Sequence, residues 1–158
     1  MSYAIVRNDK LTRSQSIGIC IHNDRKAKNH SNKEIDISKS HLNYYFKKNE
    51  LSYTKEFDRL RKKYDLQGQI RSNSIIMCEM IFTSDKEFFD TIGIEETKRY
   101  FEESYKFICN YKNFGEKNII SAVVHFDETT PHMHLIYKED YLQKKPKEEM
   151  KQSRITSK

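Results

Sequence analysis

Apolar and polar residues alternate along parts of this chain with a period of two and along others with a period of three to four. Residues 3–7, 17–22, 74–82, 119–124 and 132–137 follow the first pattern, or run apolar and β-branched, and are read as strands. A polar loop, 8–16, separates the first two. Helical spacing is found over 35–46 and over 54–64, where Phe57, Leu60 and Tyr64 recur, and the two are read together as one mobile insertion. Residues 84–87, Ser-Asp-Lys-Glu, have the form of a capping box that starts a short helix broken near Gly93. A longer helix follows over 95–111, with Tyr100, Phe101, Ser104, Ile108 and Tyr111 as its core stripe, and Gly115 turns the chain into the next strand. About five strands with helices between them predict an α+β domain with a mainly antiparallel sheet.

Chemistry is concentrated in one segment. His125-Phe-Asp-Glu-Thr-Thr-Pro-His132-Met-His134 holds three imidazoles and two carboxylates around a chain-reversing Pro131. Side chains two apart on a strand share a face, so His132 and His134 point the same way and Met133 points into the core. His125, ending the neighbouring strand, completes a facial triad. Three neutral imidazoles hold a divalent cation and leave coordination positions open, as Lewis-acid catalysis requires and a closed structural site does not. A second histidine of interest is His22: read as a strand, residues 17–22 put the isoleucines on one face and Gly18, Cys20 and His22 on the other. That small face suits close approach of a substrate, although a strand-end histidine facing solvent gives the same pattern.

Composition narrows the setting. The 158 residues suit one domain, and Lys plus Arg exceed Asp plus Glu by 29 − 23 = 6, which favours a polyanionic partner without demanding one. Cys20, Cys78 and Cys109 are odd in number, far apart and not in CxxC pairs. They argue for a reducing, cytoplasmic setting and against a disulfide or thiolate-zinc scaffold. No apolar run is long enough to span a bilayer, and the N-terminus has no signal-peptide core.

Several ordered segments carry a resemblance. Met1-Ser-Tyr-Ala-Ile-Val-Arg7, His22-Asn-Asp-Arg25, Asn43-Tyr44, Glu79 with Thr83-Ser-Asp85, Phe101-Glu-Glu-Ser-Tyr-Lys106 and the block from His125 to Leu135 resemble the MOBV relaxases. These are Pre/Mob plasmid mobilisation and recombination proteins of the HUH endonuclease superfamily, and the likeness covers about 1–137. It implies an HUH sheet of five antiparallel strands with the metal histidines in its middle. It also implies nicking of one DNA strand at a plasmid origin of transfer, leaving a covalent 5′-phosphate adduct on the protein. By the same resemblance the metal is Mn²⁺, with Mg²⁺ second, although imidazoles as such bind Zn²⁺ or Cu²⁺ more tightly.

The implied nucleophile is His22, with Tyr44 as its rival. Attack needs a neutral imidazole whose proton a carboxylate takes up: Glu128 is the choice, while Asp127 is placed as an outer partner of a ligand histidine. Arg25, three residues from His22, is placed to grip the phosphate. For DNA contacts the candidates are Arg7, Lys10, Arg13, Lys26, Lys28 and Arg71, together with Arg25, Tyr44 and Phe114, the last standing where relatives tend to have tyrosine. The partner would be plasmid DNA, a single-stranded nick region with its adjoining hairpin or duplex.

Residues 1–137 are therefore expected to be a relaxase catalytic domain, incomplete at its C-terminus, and 138–158 a basic polar tail, partly disordered. The alternative is a truncated origin-binding protein that has lost catalysis. Dimerisation would need a C-terminal region beyond this chain.

Overall fold

The computed structural model describes residues 1–112 and 114–139, so that most of the expected tail, 140–158, lies outside the described residues. Five strands form one antiparallel sheet: β1 (Ile5–Thr12), β2 (Tyr44–Lys47), β3 (Ile75–Thr83), β4 (Ile119–His125) and β5 (His132–Lys138). Their order is β1-β3-β5-β4-β2. The motif strands β4 and β5 thus occupy the interior, as their near-continuous burial demands. An apolar run such as Ile119–Val124 has two faces to hide, and only an inner strand covered on both sides hides them.

Helices supply both covers. α3 (Lys86–Asn110) packs Phe89, Phe101 and Ile108 against Cys78, Phe82, Ala122, Val124, Met133 and Leu135 on one face. On the other, α1 (Arg13–Asn23) and α2 (Tyr53–Lys63) bring Cys20, Tyr53, Phe57 and Leu60 against Leu11, Ile76, Ile120 and Ile136. Phe57 and Leu60 are fully buried. Each such side chain contributes ~1.5–3 kcal/mol of burial, so α2 is part of the core and not of a mobile insertion.

The largest departure from the sequence reading is at 13–23, where a helix replaces the expected strand. Thr12 and Gln15 form a capping box: the Thr12 side chain accepts from the Gln15 amide at 3.4 Å, and Gln15 Oε1 accepts from the Thr12 amide at 2.9 Å. That start signal overrides the strand preference of three isoleucines. The helix then buries Ser16, Cys20 and Asn23 and leaves Ile17 and Ile21 exposed. Its inner face is partly polar and its outer face partly aliphatic, which hides the helical period.

Other boundaries move for local reasons. β1 continues through the polar Asn8–Lys10 because it is an exposed edge strand. Within 35–46 there is one 3-10 helix, Ile37–Leu42, and then β2. The cap of α3 is Asp85, which accepts from the Phe88 amide at 2.8 Å, while Ser84 donates instead to the Tyr3 carbonyl. The helix breaks at Gly93, whose φ of 78° favours glycine, and Gly115 turns at φ 71°. Tyr111 has left the helix and is exposed, so the core stripe ends at Ile108.

Candidate metal centre and active site

His132 and His134 stand on β5 with their rings toward α1, and Met133 between them is buried in the α3-side core. His125 is the direct cross-strand partner of His132. Ring centroids lie 4.9–5.4 Å apart within this triad. Each imidazole has one nitrogen engaged by an acceptor: His125 Nε2 by the Asn23 carbonyl at 3.2 Å, His132 Nδ1 by the Thr130 carbonyl at 2.8 Å, His134 Nδ1 by Glu79 at 2.6 Å. Donating there fixes the tautomer and leaves a lone pair on the other nitrogen. Two of those nitrogens, His125 Nδ1 and His134 Nε2, are buried without a protein partner. Such orphaned acceptors, gathered in one place, fit a divalent cation.

α1 adds a fourth imidazole. His22, in its last turn, holds its ring 5.3 Å from that of His125 and 5.2 Å from that of His134. One nitrogen from each of His22, His125, His132 and His134 lies within 4.8 Å of the others. Three of the rings are kept neutral: desolvation, then the neighbouring His134, lowers His22 to about 4 and His125 to about 2, and desolvation lowers His134 to about 3. Neutral imidazole is the form that ligates metal and the form that attacks.

The turn after α1 brings in the carboxylates. Arg25 adopts a left-handed conformation, φ 51°, as the residue closing the helix; its amide bonds the His22 carbonyl and that of Lys26 bonds the Ile21 carbonyl. The bend aims the guanidinium beneath His22, where Nε and Nη2 donate to Asp127 at 2.9 and 2.6 Å, Nη2 to Glu128 at 2.7 Å, and Nη1 to the His22 carbonyl at 2.7 Å. Ser40 also donates to Asp127. Burial alone would raise Asp127, but the hydrogen bonds from Arg25 and Ser40 carry it well below the usual carboxylate range. Glu128 Oε1, held by Arg25, lies 3.4 Å from His22 Nε2, 3.6 Å from His132 Nε2 and 3.7 Å from His125 Nδ1.

Two placements therefore differ from the sequence reading. Arg25 spends most of its donors on Asp127, Glu128 and the His22 carbonyl, so it clamps the site together rather than presenting a free fork to phosphate. Asp127 bonds Arg25 and Ser40 and no ligand histidine; the carboxylate behind a histidine is Glu79. The sequence did carry a signal for it, a single acid inside the apolar run Ile75–Thr83. Burial, with Asp9 nearby, pushes Glu79 up to about 7. Replacing Arg25 with methionine would strand two carboxylates that are almost wholly buried. We expect a loss of ~3–5 kcal/mol in urea unfolding, most of it from the uncompensated charge.

Tyr44 is not brought to the histidines. It pairs across β2 and β4 with Val124, which faces α3, and its ring packs on Phe126 and Phe46 there. Its hydroxyl is buried without a partner, and burial raises it to about 12. The neighbouring Tyr45 faces the α1 side and donates to Asp24 at 2.8 Å. Phe114 packs edge-on against Tyr137, five residues along β5 from His132, and so fills the core margin away from the site. Of the basic candidates, Arg7 and Arg71 are exposed, as is Lys28. Lys10 approaches Glu139 at 3.5 Å, Arg13 is paired with Asp58 and Lys26 with Asp24.

Comparison with known proteins bears on this arrangement. The family model for plasmid recombination enzymes (Mob_Pre) matches residues 1–158. The chain belongs to the plasmid recombination enzyme family. A plasmid recombination enzyme of Lactiplantibacillus plantarum is 39% identical over 143 residues, covering 85% of this chain and 37% of that protein. One of Streptococcus agalactiae is 38% identical over 138 residues, covering 85% and 28%. The chain thus spans about a third of the length of these relatives. Among solved structures, the Mn-bound MobM relaxase domain (MOBV) in complex with plasmid pMV158 oriT DNA at pH 6.8 superposes with a TM-score of 0.76 at 33% identity, covering 92% of this chain and 79% of that one. A second MobM complex, at pH 5.5, gives 0.73 at 36% identity, covering 85% and 69%. The five-stranded antiparallel sheet with flanking helices is the architecture that this chain shares with the MobM relaxase domain. Among the described residues no helix is long and apolar enough to cross a membrane.

Proposed function

We propose that this plasmid recombination enzyme carries the nicking centre of a relaxase: bound to plasmid origin DNA in the cytoplasm, it cuts one strand and retains the 5′ phosphate on His22. The observation that supports this most is the convergence of three tautomer-fixed imidazoles, the free nitrogens of His125 and His134 buried without a partner, beside a fourth on α1. His125, His132 and His134 would hold the metal, which supplies Lewis-acid polarisation of a phosphate oxygen. Mn²⁺ is favoured, since the related MobM domain is Mn-bound, with Mg²⁺ second. His22 attacks phosphorus with one ring nitrogen, the P–O3′ bond breaks, and the 3′ oxygen leaves. Glu128, held by Arg25 at His22 Nε2, takes up the proton that the imidazole sheds. Exposed Arg7 and Arg71, with Lys10, are proposed as phosphate contacts to the nick region and adjoining hairpin or duplex.

The test is supercoiled DNA bearing a candidate origin, incubated with Mn²⁺ or Mg²⁺ and then treated with protease and denaturant. Nicked circles support the reading. A gel shift without nicking would leave an origin-binding protein that does not cut.

Glu79 makes the metal step pH-dependent. When its carboxyl is protonated it donates to His134 Nδ1 and forces the proton of that ring onto Nε2, the ligand position. Metal entry therefore expels one proton. Mn²⁺ affinity should rise with pH up to about 7, where Glu79 ionises, and level off above it. Glu79→Gln should weaken Mn²⁺ binding about 10–100-fold at neutral pH and flatten that dependence. Calorimetric titration at several pH values reads both.

A further inference from the structure

Arg25 accounts for only one of the two oxygens of Glu128. The Arg25 Nη2 that reaches Oε1 is shared with Asp127, and a carboxylate held through a single oxygen still turns about its last side-chain bond, whose rotation is soft. Oε1 lies 3.4 Å from His22 Nε2, 3.6 Å from His132 Nε2 and 3.7 Å from His125 Nδ1. A small rotation therefore changes which ring it faces.

The second oxygen is held from the loop between α1 and the 3-10 helix Ile37–Leu42. Asn32 Nδ2 donates to Glu128 Oε2 at 3.1 Å, across 96 positions of sequence. The other end of the same amide fixes its orientation: Asn32 Oδ1 accepts from the Glu34 amide at 3.0 Å, and a backbone N–H only donates, so the end facing Glu128 is the NH₂. This is an Asx turn. The loop is anchored further by the Ile35 amide, which donates to the Asn32 carbonyl at 3.4 Å, and by the Asp36 amide, which donates to the carbonyl of Asp127 at 2.7 Å. Asn32 is thus tied to the segment that carries Glu128 by backbone as well as by side chain. The Glu128 side chain is only 9% exposed, so water is poorly placed to replace the amide.

We propose that Asn32 is a positioning residue for the nicking step: it fixes the plane of the Glu128 carboxylate so that Oε1 faces His22 Nε2 and receives its proton when the other ring nitrogen attacks phosphorus. This rests on the nicking reading and adds a residue to it. In the transfer the His22 Nε2–H bond breaks and the Glu128 Oε1–H bond forms, while Oε2 keeps its hydrogen bond from the amide. A neutral donor holds the carboxylate without placing a second positive charge beside the group that must accept a proton.

The test is single-turnover cutting of a single-stranded origin oligonucleotide by the full chain, with protein and Mn²⁺ saturating, in wild type, Asn32→Ala and Asn32→Asp. Asn32→Ala removes both ends of the amide. Asn32→Asp keeps an oxygen for the Glu34 amide, and so the turn, but sets a carboxylate with no N–H against Glu128. The saturated rate should fall about tenfold to a hundredfold in both variants, as expected when a reacting group is misplaced by about 1 Å. In Asn32→Ala, oligonucleotide affinity by anisotropy and Mn²⁺ affinity by calorimetry should stay at their wild-type values. A wild-type rate in Asn32→Ala would overturn the proposal, and so would a loss that appears in either affinity instead of the saturated rate. A loss in Asn32→Ala that is absent from Asn32→Asp would overturn it too, because the residue would then serve only the turn. Wild type that binds the oligonucleotide without cutting it would overturn the nicking reading and this inference with it; cutting by wild type that Asn32→Ala leaves unaffected overturns this inference alone.

Discussion

His132→Ala and His134→Ala should each reduce Mn²⁺ affinity by at least about 100-fold, beyond the loss typical of an outer-sphere change, and abolish nicking. Affinity for a single-stranded origin oligonucleotide should change little. The phosphate contacts proposed on the exposed strand and loops are separate from the imidazoles, and they would supply the salt-sensitive part of binding. Both side chains come from the middle strand of the sheet, where the backbone is fixed by β3 on one side and β4 on the other. The strand should therefore persist in either variant. They differ in one respect: His134→Ala also removes the partner of Glu79, leaving a buried acid that takes up a proton, whereas His132→Ala frees only the Thr130 carbonyl. Calorimetric titration with Mn²⁺, beside anisotropy with labelled DNA, separates the two functions. Unchanged metal affinity in both variants would remove the metal centre from this site.

The histidine cluster was legible because its determinants are local. A period of two on one strand and a tight connection place His125, His132 and His134 together whatever the remainder of the chain does, and β4 and β5 fall within a residue of their expected bounds. α1 was not legible in the same way. Its inner face is built from Ser16, Cys20 and Asn23 and its outer face carries Ile17 and Ile21, so hydrophobicity reports the wrong side and the wrong period. The closeness of Gly18 to His22 was anticipated, but from strand alternation; in the structure it follows from the helical spacing of four.

Long-range partners were the least accessible. Arg25 reaches Asp127 and Glu128 across more than a hundred residues of chain because one left-handed residue turns it under the helix. No pattern along the sequence signals that turn, since arginine is not a residue that prefers it. Glu79 and His134 stand 55 positions apart and meet near the Ile81–His134 register of β3 and β5. Tyr44 was paired with Tyr45 in sequence, and only the register of β2 on β4 decides that Tyr45 faces α1 while Tyr44 faces α3.

The second large effect concerns which residue would retain the DNA in the proposed reaction. His22 lies among His125, His132 and His134 and beside Glu128, while Tyr44 lies behind the sheet with a hydroxyl that burial makes harder to ionise. In His22→Ala the 5′ adduct should vanish, with nicking reduced by several orders of magnitude, as expected when the group that forms the covalent intermediate is removed. In Tyr44→Phe the adduct should persist. The two bonds also differ: a phosphoramidate to imidazole nitrogen breaks in mild acid, because protonation makes nitrogen a good leaving group, and a tyrosine phosphodiester does not. The decisive measurement is a denaturing gel of cleaved, labelled oligonucleotide on wild type, His22→Ala and Tyr44→Phe, before and after mild acid, with peptide mapping of the adduct. An acid-labile adduct on His22, present in wild type and Tyr44→Phe, is the expected result; an acid-stable adduct that survives His22→Ala and is lost in Tyr44→Phe would contradict it.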